Sequence, residues 1–552
     1  MLNIDGIPEI PKPLNCPMPG FAKGTAERKL LEEAIKELRA QDPEKVKLPL
    51  MIGGERIVTG KLADCTVPHD NKRILGRYSV AQPDQAEQAI KAALDAAAGW
   101  QRIPWHMRLN VFRKAAYLME TKHFYRLVAA TMEDLSKTPY EAMIDVCELV
   151  DFWNFNVYYA YQIYREQPDT QRFSFNLTDW RPLEGFVASL SPNNFMAIAG
   201  NLATAPAMMG NVVVAKPASD TVFIFHAVLD VLYEAGMPPE VISVIHGDKE
   251  TSRLLGDILL ASPVLAGVHF TGSTETFDCI VGAIGKNTEK GVYCCGYPHR
   301  ACVGETGGKD FLIVYDDDDP KTVAAAMIVG GYGYQGRKCS ATSRVYITER
   351  MWPAVHEELS AFIDAIKVGD AADFKNYMAG IISEAEYNKI VGYIEAAKAD
   401  GSAEVFGGSY TDGPGWFIQP TLIVTRNPNF RTMEEEIFGP VITVCPMMED
   451  DFRSVLKKCD ETSPYGLTGA INTGSLVTLC EALQQLRYAA GNIYDWKTTG
   501  AVVGQQPFGG ARKSGTDDKA GSKLNLYRWV TPRTISLLHN RPQVPWPAYL
   551  DV

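Results

Sequence analysis

Residues 330–344 read GGYGYQGRKCSATSR, a Gly-rich stretch that ends on Cys339 and runs into a strand-like SRVYIT at 343–348. Flexible glycines let backbone amides approach a substrate closely, as an exposed nucleophile requires. Taken alone, a cysteine is more often a small buried hydrophobe than a nucleophile, so the surrounding sequence has to decide between the two.

Outward from this segment, short apolar runs alternate with helical stretches. Between Gly185 and Tyr315 the runs GFVASL, NVVVAK, EVISVIH, LAGVHF and FLIVY give the pattern of parallel βαβ units, a Rossmann-like region. From Lys321 to Gly500 the alternation resumes, with helices expected at 352–366, 384–399 and 451–459 and strands at SRVYIT and PVITVC, a second α/β lobe. Ahead of both, 83–100, 104–135 and 140–166 read as long helices. Thr25 is placed to cap an N-terminal docking helix with Leu30, Leu31, Ala34, Ile35 and Leu38 on one face, ending before Pro43. The acidic run Asp316 to Asp319 lacks Ca²⁺-loop spacing and stops at Pro320, so it reads as a helix-start loop.

The 552 residues exceed what one core holds and suit packed lobes. A formal net charge of −12 works against nucleic acid or an anionic membrane as partner. The eleven cysteines are scattered through the chain, which favours reduced thiols. Within YCCGYPHRAC, Cys294, Cys295, His299 and Cys302 lack the paired spacing of a structural zinc site, so no metal is expected. The opening MLNIDGIPEIPKPLN has neither a basic n-region nor an apolar h-region. The expected location is the cytoplasm, or the mitochondrial matrix if a transit peptide has been removed.

Three further segments carry chemistry. In GETGGKD, Glu305 precedes the glycine pair Gly307–Gly308, where a carboxylate has room to activate a thiol or a water; a solvated turn Glu is the plainer reading. In SPNNFMAIAGN, Asn193 and Asn194 follow a proline at a strand boundary, where an amide can donate to a developing oxyanion, or simply make a turn. In HFTGSTE, Ser273 sits where a strand gives way to a helix, a place for a phosphate or for an ordinary cap.

The order and spacing of Asn194, Glu305 and Cys339 resemble those of the aldehyde dehydrogenase superfamily. That resemblance implies that Cys339 attacks an aldehyde, that Asn194 and the Cys339 amide hold the thiohemiacetal oxyanion, and that Glu305 activates water against the thioester. It also implies an NAD cofactor, with NADP as the alternative, held by Lys216 and Ser219 of NVVVAKPASD, by Ser273, and by Glu436 and Phe438 of EEEIFGPV. The long C-terminal stretch TTGAVVGQQPFGGARKSGTDDKAG is similar to the substrate loop of the Δ1-pyrroline-5-carboxylate dehydrogenases, as are ACVGETGGKDF, SPYGLTGAI and AAGNIYDWKTTG. By that likeness the substrate is L-glutamate γ-semialdehyde, in proline breakdown. Gly500 and Ala501 would anchor its carboxylate, with Phe508 and Phe195 beside the chain, Ser340 near the head and Glu148 near the ammonium. Alternatives are another semialdehyde or an aliphatic aldehyde as substrate, or a non-catalytic protein that keeps the fold.

The sequence departs from the family pattern in places. Ala501 stands where a Ser is usual, removing a hydroxyl donor worth about 1.5–3 kcal/mol to a charged group. Arg337 replaces a Gln and favours the thiolate if it faces the sulfur. Asn193 replaces an aromatic, Ala215 a Trp, and Ser219 an Asp; losing that carboxylate would remove repulsion against a 2′-phosphate. The implied architecture is an aldehyde dehydrogenase fold of the α/β class. It comprises a Rossmann-like NAD-binding domain (1–173 and 192–304), an α/β catalytic domain (305–515) and a small oligomerisation element (174–191 and 516–552). That element would combine a hairpin near 173–186 with the C-terminal tail, making a homodimer or an assembly of dimers.

Overall fold

A computed structural model describes residues 6–289, 302–547 and 549–550. Two seven-stranded sheets organise it. The first runs in the order Cys302–Glu305, Leu265–Thr271, Phe186–Leu190, Val212–Lys216, Ile242–Val244, Leu50–Ile52, Glu55–Ile57, its first five strands parallel and its last two antiparallel. Phe186–Leu190 is buried along its whole length, as expected for a parallel strand covered by helices on both faces. The second sheet runs Ala403–Gly407, Thr421–Thr425, Val441–Met447, Thr342–Thr348, Asp310–Val314, Thr468–Asn472, Asn492–Tyr494, parallel except at its Ala403–Gly407 edge.

Several sequence expectations need correction. Residues 186–190 are an inner strand of the first sheet, so they do not belong to the element proposed for 174–191. The strand Ser174–Pro182 does not pair within 173–186; it pairs antiparallel with Val530–Leu538 of the C-terminal part with which it was expected to combine. FLIVY, read with the first lobe, lies in the second sheet as Asp310–Val314. The helix expected over 104–135 is two, Trp105–Glu120 and Phe124–Leu135; Thr121 Oγ1 turns back to Tyr117 O at 2.6 Å and closes the first. The one expected at 451–459 splits into Glu449–Phe452 and Val455–Thr462.

Other local readings hold. Thr25 caps Ala26–Arg39, accepting from the Arg28 amide, and this helix buries Leu31 and Ile35 in one apolar cluster with Leu127 and Val128, although Leu30 faces solvent. Asp319 caps Pro320–Tyr332 through the Thr322 amide at 2.8 Å. The Cys294, Cys295 and His299 group lies outside the described residues, while Cys302 is buried in its strand.

The long helix Pro139–Arg165 ties the helical layer to the first sheet through one buried carboxylate. Asp145 accepts from the Met196 and Ala197 amides at 3.0 and 2.8 Å, so it satisfies the N-terminus of Met196–Met208, and from Lys137 Nζ at 2.8 Å. Both members of the ion pair are fully buried. Removing one partner strands the other charge in low dielectric. Asp145→Ala is therefore expected to lower stability in chemical denaturation by about 3–5 kcal/mol, far more than a surface Asp→Ala change.

Candidate active site

Cys339 is placed by an unusual turn. After Pro320–Tyr332 the chain passes through Tyr334 (φ 51°), Gln335 (φ 54°) and Gly336 (φ 65°), all left-handed. Non-glycine residues there cost on the order of 1–3 kcal/mol each unless the surroundings enforce them. The enforcement is visible: Gln335 Nε2 donates to Ser136 O and Gly380 O, both at 2.9 Å. Ser136, itself at φ 53°, accepts from the Gly380 amide at 2.8 Å and meets His69 Nδ1 at 3.1 Å. The Tyr334 ring packs edge-on to Phe195, with the Lys137 ammonium 3.3 Å from the Phe195 centroid and 4.3 Å from that of Tyr334. At Gly336 a Cβ would lie 2.3 Å from Gly439 O, so only glycine fits.

The glycine pair of GETGGKD serves the same loop. A Cβ on Gly308 would sit 2.2 Å from Cys339 O, and one on Gly307 would sit 2.1 Å from Glu436 Oε2. The Gly308 amide donates to Glu436 Oε1 at 3.0 Å. These glycines thus let the segment after Glu305 pass against both the Cys339 backbone and the Glu436 carboxylate.

Asn194 is buried beside Cys339 on the wall of a cleft of ≈ 1550 Å³. Its Nδ2 donates to Arg337 O at 3.1 Å. The Arg337 guanidinium points elsewhere: Nη2 donates to Asn193 Oδ1 at 3.0 Å, Nη1 lies 3.7 Å from Glu386 Oε2, and the group sits 5.0 Å from the Phe438 ring. It does not activate the sulfur. Burial, then Asp310, Glu436, Glu305 and Glu148, push the Cys339 thiol above its ordinary value. Glu305 ends its strand with its carboxylate turned toward Gly509, where a Cβ would be 3.0 Å from Oε1. That oxygen is buried without a hydrogen bond, and burial with Asp518 and Asp517 raises the group well above the carboxylate range.

The same cleft gathers Lys216, Ser219, Ser273, Glu436 and Phe438. Lys216 ends Val212–Lys216 and donates to Ser252 Oγ at 2.6 Å; burial lowers it to about 8. Ser273 caps Thr274–Thr288, accepting from Thr276 N at 3.2 Å, so the plain helix-cap reading is correct and coexists with a place on the cleft wall. Sequence reasoning missed Asp220, which also lines the cleft and accepts from Asn193 Nδ2 at 3.4 Å. Position 219 itself has no carboxylate, and that of the next residue, Asp220, is turned to Asn193. The signal for Asp220 was the last residue of KPASD.

Ser340 Oγ donates to Thr499 Oγ1 at 2.9 Å and Thr498 Oγ1 to Ser340 O at 2.7 Å, which fastens the 498–501 loop to the residue after Cys339. Gly500 adopts φ 108° and Ala501 follows it half-buried. Phe508 packs 5.6 Å from Phe152 of Pro139–Arg165, the helix that carries Glu148. Burial and Asp145 push Glu148 up to about 8. Asn15, also missed, straps this side: it donates to Asp151 Oδ2 and Val503 O, both at 2.8 Å, and accepts from Gln505 at 2.9 Å. It lies in an irregular lead-in with no periodicity to mark it.

A second acidic cluster, His69, Glu133 and Asp370, brings its ligand atoms within 4.8 Å of one another. Arg39 reaches Glu133 at 2.7 Å and Asp370 at 2.6 Å, and Arg73 also binds Glu133. Burial would raise Glu133, but the His69 hydrogen bond and the His69, Arg73 and Arg39 charges outweigh it and hold the group at about 2. The cluster supports Ser136, and through it Gln335.

Residues 58–535 match the family model described as the aldehyde dehydrogenase family. The chain is 42% identical over 530 residues to the mitochondrial delta-1-pyrroline-5-carboxylate dehydrogenase of Dictyostelium discoideum, covering 95% of this chain and 93% of that one. It is 37% identical over 545 residues to the human protein of the same name, covering 98% and 95%. The crystal structure of the delta-pyrroline-5-carboxylate dehydrogenase from Mycobacterium tuberculosis bound with NAD superposes with a TM-score of 0.93 at 39% identity over the whole of both chains. The chain belongs to the aldehyde dehydrogenase family.

Proposed function

We propose that the chain oxidises L-glutamate γ-semialdehyde, the open form of Δ1-pyrroline-5-carboxylate, to L-glutamate with NAD. The observation that carries this reading is the position of Cys339 and Asn194. They stand on the wall of a dinucleotide-sized cleft, and the 498–508 loop is fastened to Ser340 on the other side.

The residues present fit the cofactor. The N-terminus of Thr274–Thr288 and Lys216 offer positive charge to phosphates, and Glu436, held by the Gly308 amide, offers acceptors to a ribose. Asp220 beside Ser219 disfavours a 2′-phosphate. When bound, NAD supplies the two-electron acceptor that converts the thiohemiacetal to a thioester.

The chain's own groups do the rest. Cys339 Sγ adds to the aldehyde carbon, its proton leaving to solvent, while Asn194 Nδ2 exchanges its bond to Arg337 O for the oxyanion. For hydrolysis Glu305, as the carboxylate, rotates away from Gly509 and takes the proton of the attacking water. Glu148, buried without full counter-charge, gains it from the substrate ammonium.

The ribbon of Ser174–Pro182 and Val530–Leu538 exposes Phe173, Phe175, Leu537 and Leu538 along one element, with Trp546 beyond it. We assign this ribbon and the tail to contact with a second copy, forming a homodimer or an assembly of dimers. Relatives named as mitochondrial support a mitochondrial matrix location.

Absorbance of reduced nicotinamide tests the reaction. Glutamate semialdehyde should outperform succinate semialdehyde and propanal, and NAD should exceed NADP by about 10-fold or more in kcat/KM. Cys339→Ala should abolish turnover while NAD still binds; turnover retained by that variant defeats the mechanism. Because the free thiol is pushed up, its alkylation by iodoacetamide should keep rising with pH through about pH 9. A plateau near neutrality would show an activated thiolate instead.

A further inference from the structure

The carboxylate anchor at Gly500–Ala501 carries no charged side-chain donor within residues 498–501. Ala501 has no side-chain donor, Thr498 Oγ1 donates to Ser340 O and meets Thr342 Oγ1 at 2.9 Å, and Thr499 Oγ1 accepts from Ser340 Oγ, which leaves one neutral hydroxyl to donate. A carboxylate that must leave water needs a charge-assisted partner to offset its desolvation.

A cation stands at this spot. A Cβ built on Gly500 would lie 2.7 Å from Lys497 Nζ, so an oxygen occupying the space above Gly500 is at hydrogen-bond distance from the ammonium. Neighbouring cations are already engaged: Lys338 pairs with Glu141 at 2.7 Å and Lys137 with Asp145 at 2.8 Å. Lys497 has no ion pair and no hydrogen bond among the described residues, only the Trp496 ring 5.7 Å away. It is half-buried, and burial together with Lys338 lowers its proton affinity, as expected for a desolvated cation awaiting a counter-charge.

We propose that Lys497 binds the α-carboxylate of the substrate and is the residue that makes this site select an acidic aldehyde. The proposal rests on the substrate reading above and names the side chain that enforces it. The glycine at 500 is then required twice, for its left-handed backbone and for the space that the carboxylate oxygen fills.

The test compares kcat/KM for glutamate semialdehyde with that for propanal, which has no carboxylate, in the full-length wild-type chain, Lys497→Met and Lys497→Gln. The expected result is a fall of about 10-fold or more in the acid-to-propanal ratio in both neutral variants, carried by KM. Lys497→Arg should keep most of the ratio, and adding Ala501→Ser to Lys497→Met should restore part of it. Inhibition of propanal oxidation by L-glutamate should weaken in parallel, a binding readout that a general loss of packing does not single out. A wild-type chain that prefers propanal overturns the substrate reading and this proposal with it. A wild-type preference for glutamate semialdehyde that survives in both neutral variants overturns the role of Lys497 alone.

Discussion

The left-handed run Tyr334–Gln335–Gly336 is the constraint on which the active site depends, because it delivers Cys339 to the cleft and cannot hold itself there. Gln335 is fixed by carbonyls at 136 and 380, two segments far apart in sequence. The first is braced by His69 and the buried Glu133, which in turn holds Arg39 of the N-terminal helix and Arg73. Tyr334 rests on Phe195, under a lysine whose partner Asp145 also satisfies the helix that follows Asn194. Cys339 and Asn194 are thus located by one connected set of buried polar contacts.

A second theme is charge without compensation. Glu305, Glu148 and Glu436 are pushed up by burial, while Lys216 and Lys497 are pushed down. Such groups are costly in a protein that only needs to stay folded. They make sense where a ligand brings the missing charge: phosphates at Lys216, an ammonium at Glu148, a carboxylate at Lys497. Burial, with nearby carboxylates, likewise pushes the Cys339 thiol above its ordinary value.

What the sequence conveyed depended on how local the cause was. The helix at Glu384–Ala399, the Asp319 cap and the Ser273 cap were readable because periodicity and capping chemistry act within a few residues. Cys339, Glu305 and Asn194 stood out only together, through their spacing, and the structure brings Cys339 and Asn194 to one cleft. The sheet membership of Phe186–Leu190 was not readable, since a short apolar run cannot specify it, nor was the strand pairing by which Ser174–Pro182 and Val530–Leu538 combine. The direction of Arg337 is likewise a tertiary fact: Asn193, Glu386 and the Phe438 ring draw it from the sulfur. Asn15 and Lys497 matter by where a loop places them, which no pattern of residue types encodes.

The central claim is that oxidation passes through a covalent bond to Cys339 that Glu305 helps to break. The most direct measurement is peptide mass spectrometry of a Glu305→Ala chain quenched after mixing with NAD and glutamate semialdehyde. The expected result is a glutamyl thioester on the peptide containing Cys339, formed together with one burst of reduced nicotinamide. Reduced nicotinamide accumulating while Cys339 stays unmodified would contradict the account.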